Sequence, residues 1–374
     1  MINLTTFNCT GCTACYSICP HKAIEMVADQ EGFKFPRIDA VKCTNCGLCE
    51  KACVPSGGYV KPSFDVKAYG VKNKNLEERK QSQSGGAFYV LARYILSKGG
   101  VVYGAQIDEG FVVRHARGET EEQVKRFRGS KYVQSDLGDI FSAVKNDLQL
   151  GVPVLFSGTP CQAAGLKSFL RKDYENLLLV DLICHGVPSP KVWADYVEWQ
   201  QTKFKREIKA VEFRDKSLAW GKSAEAIYIS HKKKTFDIYA KLFYSRNCHR
   251  KSCYACPFAN TEKLSDITIG DFWGIEDVKS EFRDDYGVSA MLVNSVKGQR
   301  VWMEVCKHFD YFKCEIDDIK ARNPQLSRSV QEPATRELFW EEYENGFAFI
   351  AKKYGGDNLK GKMKRLSKRI LRRI

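Results

Sequence analysis

The sequence has no apolar run long enough to cross a bilayer: the best, Ala87 to Leu96, is short and carries Arg93. Met1 to Asn8 holds no apolar stretch either, so nothing there resembles a secretory signal. A disulfide framework is therefore not expected, and the expected compartment is a reducing cytoplasm. No DNA-binding motif accompanies the basic composition, and nucleic acid is not an expected partner. Acids are missing from residues 359–374, where eight Lys and Arg are found, so only +6 of the net charge of +14 belongs to the rest of the chain. Basicity is mainly a property of the tail.

Cysteine, in contrast, is abundant, with fifteen in 374 residues. One spacing occurs twice: Cys9, Cys12, Cys15 and Cys19, then Cys43, Cys46, Cys49 and Cys53. Structural zinc usually takes its ligands as two separated pairs, whereas three thiolates at steps of three on a tight loop suit three irons of a cubane cluster. In proteins with two such runs the fourth cysteine reaches the other cube. Cys9, Cys12, Cys15 and Cys53 are thus expected to hold one 4Fe-4S cluster, and Cys43, Cys46, Cys49 and Cys19 the other. Pro20 should end the first short helix. The second run departs slightly, because Val54 precedes Pro55, which affects the local turn and not the ligands.

At this length the cysteine-rich head must be followed by a body with a large core of its own. Residues 1–60 are expected to form an α+β ferredoxin-type head with a hairpin from Ala23 to Val41, closed by the linker-like Ser56-Gly57-Gly58. Beyond it the signals alternate. Strands are expected at Val66–Val71, Val101–Ile107, Val112–Ala116, Val152–Phe156 and Leu177–Ile183. Helices are expected at Ser84–Lys98, Leu137–Leu150, Cys161–Leu170 and Pro190–Phe204. This alternation predicts an α/β domain with a mixed sheet. After Val211 the pattern loosens, with strands near Ala226–Ser230, Asp266–Ile269 and Ala290–Val293 and a helix over Gly298–Phe309. The body divides into residues 61–175 and 176–325, and 326–374 form a helical basic tail.

Several stretches carry chemistry. Ser82-Gln83-Ser84-Gly85-Gly86 stands before an apolar helix, where free N–H groups and the helix dipole favour an anion; an ordinary N-cap at Ser84 explains the same residues. Arg128 to Ser135 gathers cations, hydroxyls and an aromatic ring in one loop, including Ser130, Lys131 and Tyr132. Gly158, Thr159, Cys161 and Gln162 follow a buried strand, and Cys184, His185 and Gly186 follow another; the C-terminal ends of such strands are where α/β sheets bind ligands. Cys253 and Cys256 form a further C-x-x-C, with Cys248 upstream. With Cys161 and Cys184 they could make a third four-thiolate site, although either of those two, taken alone, reads as inert packing. Cys306 and Cys314 are assigned to packing.

Together Ser84 to Phe88, Gly129 to Tyr132, Gly158 to Gln162, Cys184-His185-Gly186, Ser252 to Cys256 and Ser265 to Gly274 resemble the coenzyme F-420 hydrogenase/dehydrogenase beta-subunit family, from about Val66 to Phe309. The resemblance implies FAD near Ser84, Gly85 and Gly86 and the Ser130-Lys131-Tyr132 loop, with a 4Fe-4S cluster beside it. The implied ligands are Cys161, Cys184, Cys253 and Cys256, with Cys248 competing for the place of Cys184. The family includes deazaflavin-reducing hydrogenase subunits, ferredoxin-linked reductases and proteins associated with surface-polysaccharide genes, so membership does not name the molecule reduced.

The expected protein is an iron–sulfur flavoprotein oxidoreductase that takes electrons from a ferredoxin-type donor through three 4Fe-4S clusters to FAD and on to an organic substrate. His185 and Asp271 are the candidates for handling protons. Arg214-Asp215-Lys216 would grip an anionic substrate or be a solvated loop. The alternatives are oxidation of a reduced deazaflavin with electrons flowing outward, and a non-catalytic electron carrier. In the tail, Leu359, Met363, Leu366, Ile370, Leu371 and Ile374 make an apolar stripe among cations, which suits a helix lying on the inner face of an anionic membrane or packed on an acidic protein surface.

Overall fold

The computed structural model describes residues 8–54, 64–216, 220, 221, 225–229, 232–358 and 363. The turn at Pro55, the Ser56-Gly57-Gly58 linker and the amphipathic stripe from Leu359 onward lie outside the described residues, Met363 excepted.

The sequence repeat in the head is a backbone repeat as well. Gly11 and Thr13 in the first cysteine loop, and Asn45 and Gly47 in the second, all take left-handed conformations. Such alternation turns successive backbone N–H groups toward the inside of a loop, a concavity suited to an anionic centre. Each loop leads into a short helix, Ala14–Ile18 or Leu48–Ala52, and Cys19 and Cys53 sit at their C-caps. Between them β1 (Ile24–Ala28) and β2 (Lys34–Ile38) pair antiparallel, with Val27 opposite Phe35.

The body is built on one large mixed sheet. Its first strands are β3 (Lys67–Asn73), β4 (Val101–Ile107), β5 (Val113–Gly118), β6 (Val154–Gly158) and β7 (Leu177–Leu182). After an excursion through β8 (Ile208–Glu212), β9 (Glu225–Ile229) and β10 (Lys232–Phe236), which form their own antiparallel sheet, the chain returns as β11 (Ile267–Asp271), β12 (Ser289–Val293) and β13 (Phe309–Cys314). Among the described residues the large sheet runs β13-β3-β12-β11-β7-β6-β4-β5. β4, β6, β7 and β11 are parallel to one another and the outer pairings are antiparallel.

The parallel strands are apolar on both faces because both faces are covered. Val101, Tyr103, Val154, Phe156, Leu177 and Leu179 pack against helices Ile140–Gln149 and Pro160–Leu170. Their neighbours Val102, Leu155, Leu178 and Val180 point the other way, against helices Ala87–Ser97 and Val296–Val305. Each such side chain contributes about 1.5–3 kcal/mol when fully buried. A second core joins the small sheet to helices Pro190–Phe204, Ile238–Ser245, Arg336–Glu342 and Phe347–Lys353. Residues 336–353 are thus packed into the body, and β6 and β7, on either side of the 175/176 boundary, are neighbours in one sheet. The expected helix over Gly298–Phe309 starts earlier, at Val296, where Ser295 caps it, and gives way to β13 at Phe309.

The head lies against the body. Helix Pro160–Leu170 carries Gly165 directly against Cys12, where an added Cβ would meet the Cys12 Cβ and Sγ at 2.8 Å. Tyr16 donates to Asp139 at 2.9 Å, Ser168 to the Ala52 carbonyl at 3.0 Å, and Lys34 to Asp136 at 2.7 Å. Buried Arg336 grips Glu31 at the hairpin turn, at 2.9 Å through one guanidinium nitrogen.

Candidate functional site

The head cysteines lie in two groups. Cys19 shares a cavity with Cys43, Cys46 and Cys49, and its rim is exposed at Cys46. Cys53 lies within electrostatic range of Cys15, together with Cys9 and Cys12. This inner group is buried, and burial pushes the Cys12 thiol up to about 12 and Cys15 higher still, so without positive charge beside them these thiols stay protonated.

A third group forms in the body. Cys161, in the first turn of helix Pro160–Leu170, and Cys184, just past β7, meet Cys253 and Cys256 around one cavity. Burial raises all four thiols, Cys161 to about 11 and Cys253 to about 12, and each is pushed further by neighbouring thiols or held back by nearby cations. Among the described residues no three His, Cys, Asp or Glu side chains close on a single metal ion; these thiols ring a space instead. Arg250 and Lys263 border that space, both buried. Cys248 is elsewhere, in the second core with its Sγ toward the Leu242 carbonyl at 3.6 Å, and so does not compete with Cys184. Cys12 of the inner head group and Cys161 of the body group are close enough to interact.

Beside the third group opens a cavity of about 670 Å³, within the range of small-molecule sites. It lies at the C-terminal ends of β6, β7 and β11, through Ser157, Gly158, Leu182, Gly270 and Asp271. Cys184 belongs to both cavities. The turn Ser82 to Gly86 reaches the rim through left-handed Ser84 and Gly86, and the helix begins at Ala87, later than expected. Ser84 does not cap that helix; its hydroxyl donates to the Val288 carbonyl at 2.7 Å. Gly85 stands behind the wall, where a Cβ would lie 2.3 Å from the Val71 carbonyl oxygen, and its N–H donates to Ser289 Oγ. Close packing explains Gly85, and of the cofactor-lining residues expected it is the one absent from the cavity.

Ser130, Lys131 and Tyr132 line the opposite wall. Among the described residues the Lys131 ammonium donates only to the Arg126 and Arg128 carbonyls, and burial pulls its pKa down to about 7. Tyr132 stacks on Phe243 at 4.3 Å. Gln162 holds this loop to the strand end: its Oε1 accepts the Thr159 N–H and its Nε2 donates to Ser135. Ser135 in turn meets His115 Nδ1 at 2.9 Å, and His115 Nε2 lies 3.0 Å from the Ser157 carbonyl. A carbonyl can only accept, so Nε2 carries the proton and Nδ1 accepts from Ser135; burial lowers this imidazole to about 4 and keeps it neutral. His115 carries no motif in the sequence, and nothing there pointed to it.

The two proton-handling candidates part ways. His185 lines the cavity without a hydrogen-bond partner among the described residues, and burial lowers its pKa, leaving it neutral near pH 7. Asp271 is committed: Arg214 donates to one carboxylate oxygen at 2.6 Å and Trp220 Nε1 to the other at 2.9 Å. Arg214-Asp215-Lys216 is neither a substrate grip nor a solvated loop. Arg214 and Asp215 are buried, Asp215 accepting from Lys233 and Thr235, and Lys216 fastens the Ser82–Ser84 turn through its carbonyls. Arg246 lines the cavity with a guanidinium that has no partner among the described residues.

Residues 153–317 match the family model that describes the C terminus of the coenzyme F420 hydrogenase/dehydrogenase beta subunit, and residues 8–56 match the 4Fe-4S dicluster domain. The Ser84-Gly85-Gly86 and Gly129 to Tyr132 motifs precede the matched stretch. A solved structure of the F420-reducing NiFe hydrogenase complex from Methanosarcina barkeri, derivatised with xenon, contains a polypeptide with 17% identity, covering 78% of this chain and 96% of that one at a TM-score of 0.47. No curated protein matches. The chain thus combines a stretch that matches the 4Fe-4S dicluster domain with one that matches the C terminus of the coenzyme F420 hydrogenase/dehydrogenase beta subunit.

Proposed function

We propose that this protein is an iron–sulfur flavoprotein oxidoreductase linking a ferredoxin-type electron donor to an organic substrate. Two clusters are held by the head groups, a third by Cys161, Cys184, Cys253 and Cys256, and FAD by the large cavity. The observation that carries this reading is the order of the sites: a thiol group exposed at Cys46, a buried one whose Cys12 lies within electrostatic range of Cys161 in the body group, and Cys184 opening that body group onto the cavity. The residues fit what they would hold. Left-handed loops and the buried cations Arg250 and Lys263 favour anionic clusters, and Lys131 at the cavity wall, with no carboxylate partner among the described residues, favours a phosphate. Clusters supply one-electron steps and FAD converts them into two-electron chemistry. His185, neutral and unbonded at the wall, is placed to hold a proton for the substrate, while Asp271 fixes Arg214 and Trp220.

The test is anaerobic mixing with reduced ferredoxin. Wild type should bleach its flavin; Cys253→Ser should reduce its head clusters and leave the flavin oxidised. Flavin bleaching at the wild-type rate in the variant would refute the series. The family match supports a second direction of flow, in which a reduced deazaflavin is oxidised and electrons leave through the head. A place in surface-polysaccharide assembly rests on the family resemblance. Among the described residues no helix is long and apolar enough to cross a membrane. We infer peripheral contact through the apolar stripe and surrounding cations of residues 359–374: the full chain should sediment with anionic liposomes and a chain ending at Asn358 should not.

A further inference from the structure

We propose that Arg250 is a positioning residue whose buried charge sets the reduction potentials of the two clusters it stands between, the inner head cluster and the body cluster. The inference rests on the three-cluster reading above. Arg250 is the largest of the fully buried side chains and forms no ion pair among the described residues. Its Nε donates to the Cys9 carbonyl at 2.7 Å, one terminal nitrogen to Gln134 at 3.0 Å, and the other to the Lys34 carbonyl at 2.9 Å and to Cys9 Sγ at 3.5 Å. Its plane lies 4.2 Å from the centre of the Phe35 ring. Every one of these acceptors is neutral except, once ionised, the thiol. A guanidinium is always charged, and burying one without an anion is unfavourable.

The missing negative charge is supplied on both sides. On one side is Cys9 of the inner head group; on the other Arg250 lines the body cavity, where its charge favours the thiolates of Cys161 and Cys253. A cluster bound by four thiolates is anionic and becomes more so when reduced. A fixed cation therefore stabilises the reduced form of each neighbour and raises its potential, and the low dielectric around Arg250 leaves the effect little screened. None of the hydrogen bonds or ring contacts of Arg250 reaches the Cys19, Cys43, Cys46 and Cys49 group, which serves as an internal reference.

The experiment is an EPR-monitored redox titration of the whole protein. In Arg250→Gln the reduction equilibria of the inner and body clusters should shift at least tenfold toward oxidation, about 59 mV lower for a one-electron couple, with the outer cluster unmoved. Arg250→Lys, which keeps the charge and loses the fork, should stay closer to wild type. Should Arg250→Gln fail to hold its clusters, Gln134→Glu neutralises the guanidinium in place and should lower the same two potentials. Unmoved potentials in the charge-neutralised protein, or an equal shift in all three clusters, would overturn the assignment. Iron is counted alongside: about eight irons per wild-type chain instead of about twelve overturns the three-cluster reading itself, whereas twelve with unmoved potentials overturns this inference alone.

Discussion

Gly165→Ala separates two opposed effects at the seam between head and body. Alanine is worth about 1 kcal/mol more than glycine inside a helix, so with free space around it the substitution would stabilise. Here the new methyl would meet the Cβ and Sγ of Cys12 at 2.8 Å, where carbon contacts normally rest at about 3.5–4.0 Å. Close to an ångström of displacement is required, and neither side yields easily: Gly165 sits in the middle of helix Pro160–Leu170, and Cys12 is fixed by its loop and by any iron it holds. Overpacking of this kind costs about 1–3 kcal/mol, which outweighs the helical gain. The variant should lose cluster absorbance at lower denaturant than wild type, and electron transfer between the Cys9 and Cys161 groups should slow. An alanine variant as stable as wild type or more so, with undiminished transfer, would refute the close docking of the head.

Cys19→Ala should abolish the outer cluster signal and spare that of the Cys9 group; the opposite loss in EPR would contradict the crossed grouping. Lys131→Met should weaken FAD binding to the deflavinated protein roughly tenfold to a hundredfold at acid pH, since a charge-assisted hydrogen bond is worth about 1.5–3 kcal/mol. In wild type the amine, lowered by burial to about 7, must take up a proton when the anion arrives, so affinity should be level below pH 7 and fall above it. A pH profile unchanged by Lys131→Met would remove Lys131 from the phosphate site. Asp271→Asn leaves buried Arg214 without its carboxylate and should destabilise by about 3–5 kcal/mol in chemical denaturation. Full stability with lost activity would instead return Asp271 to proton transfer.

The cysteine framework was legible because cluster ligation is written in local spacing, and the backbone follows the repeat residue by residue, Gly11 with Asn45 and Thr13 with Gly47. The central strands were legible from their apolar runs, and with them the cysteines at their ends. What escaped depends on partners distant in sequence. Asp271 read as an available acid because nothing local announces Arg214 or Trp220. Gly85 read as a phosphate-binding glycine, while its lack of a side chain serves β3 and Ser289. Arg250 carried no signal at all, since its partners Cys9, Lys34 and Gln134 are more than a hundred residues away in sequence. Helix was expected over 326–374, but the packing of helices Arg336–Glu342 and Phe347–Lys353 into the body escaped, because Phe339 and Ile350 gain meaning only within the second core.

The central claim is that three thiol groups and one cavity are filled together, and the direct measurement is iron, acid-labile sulfide and flavin counted on one anaerobically purified sample. About twelve irons, about twelve sulfides and one flavin per chain are expected, with four irons per cubane. About eight irons and no flavin would leave the head as a two-cluster carrier with neither a body cluster nor a flavin site.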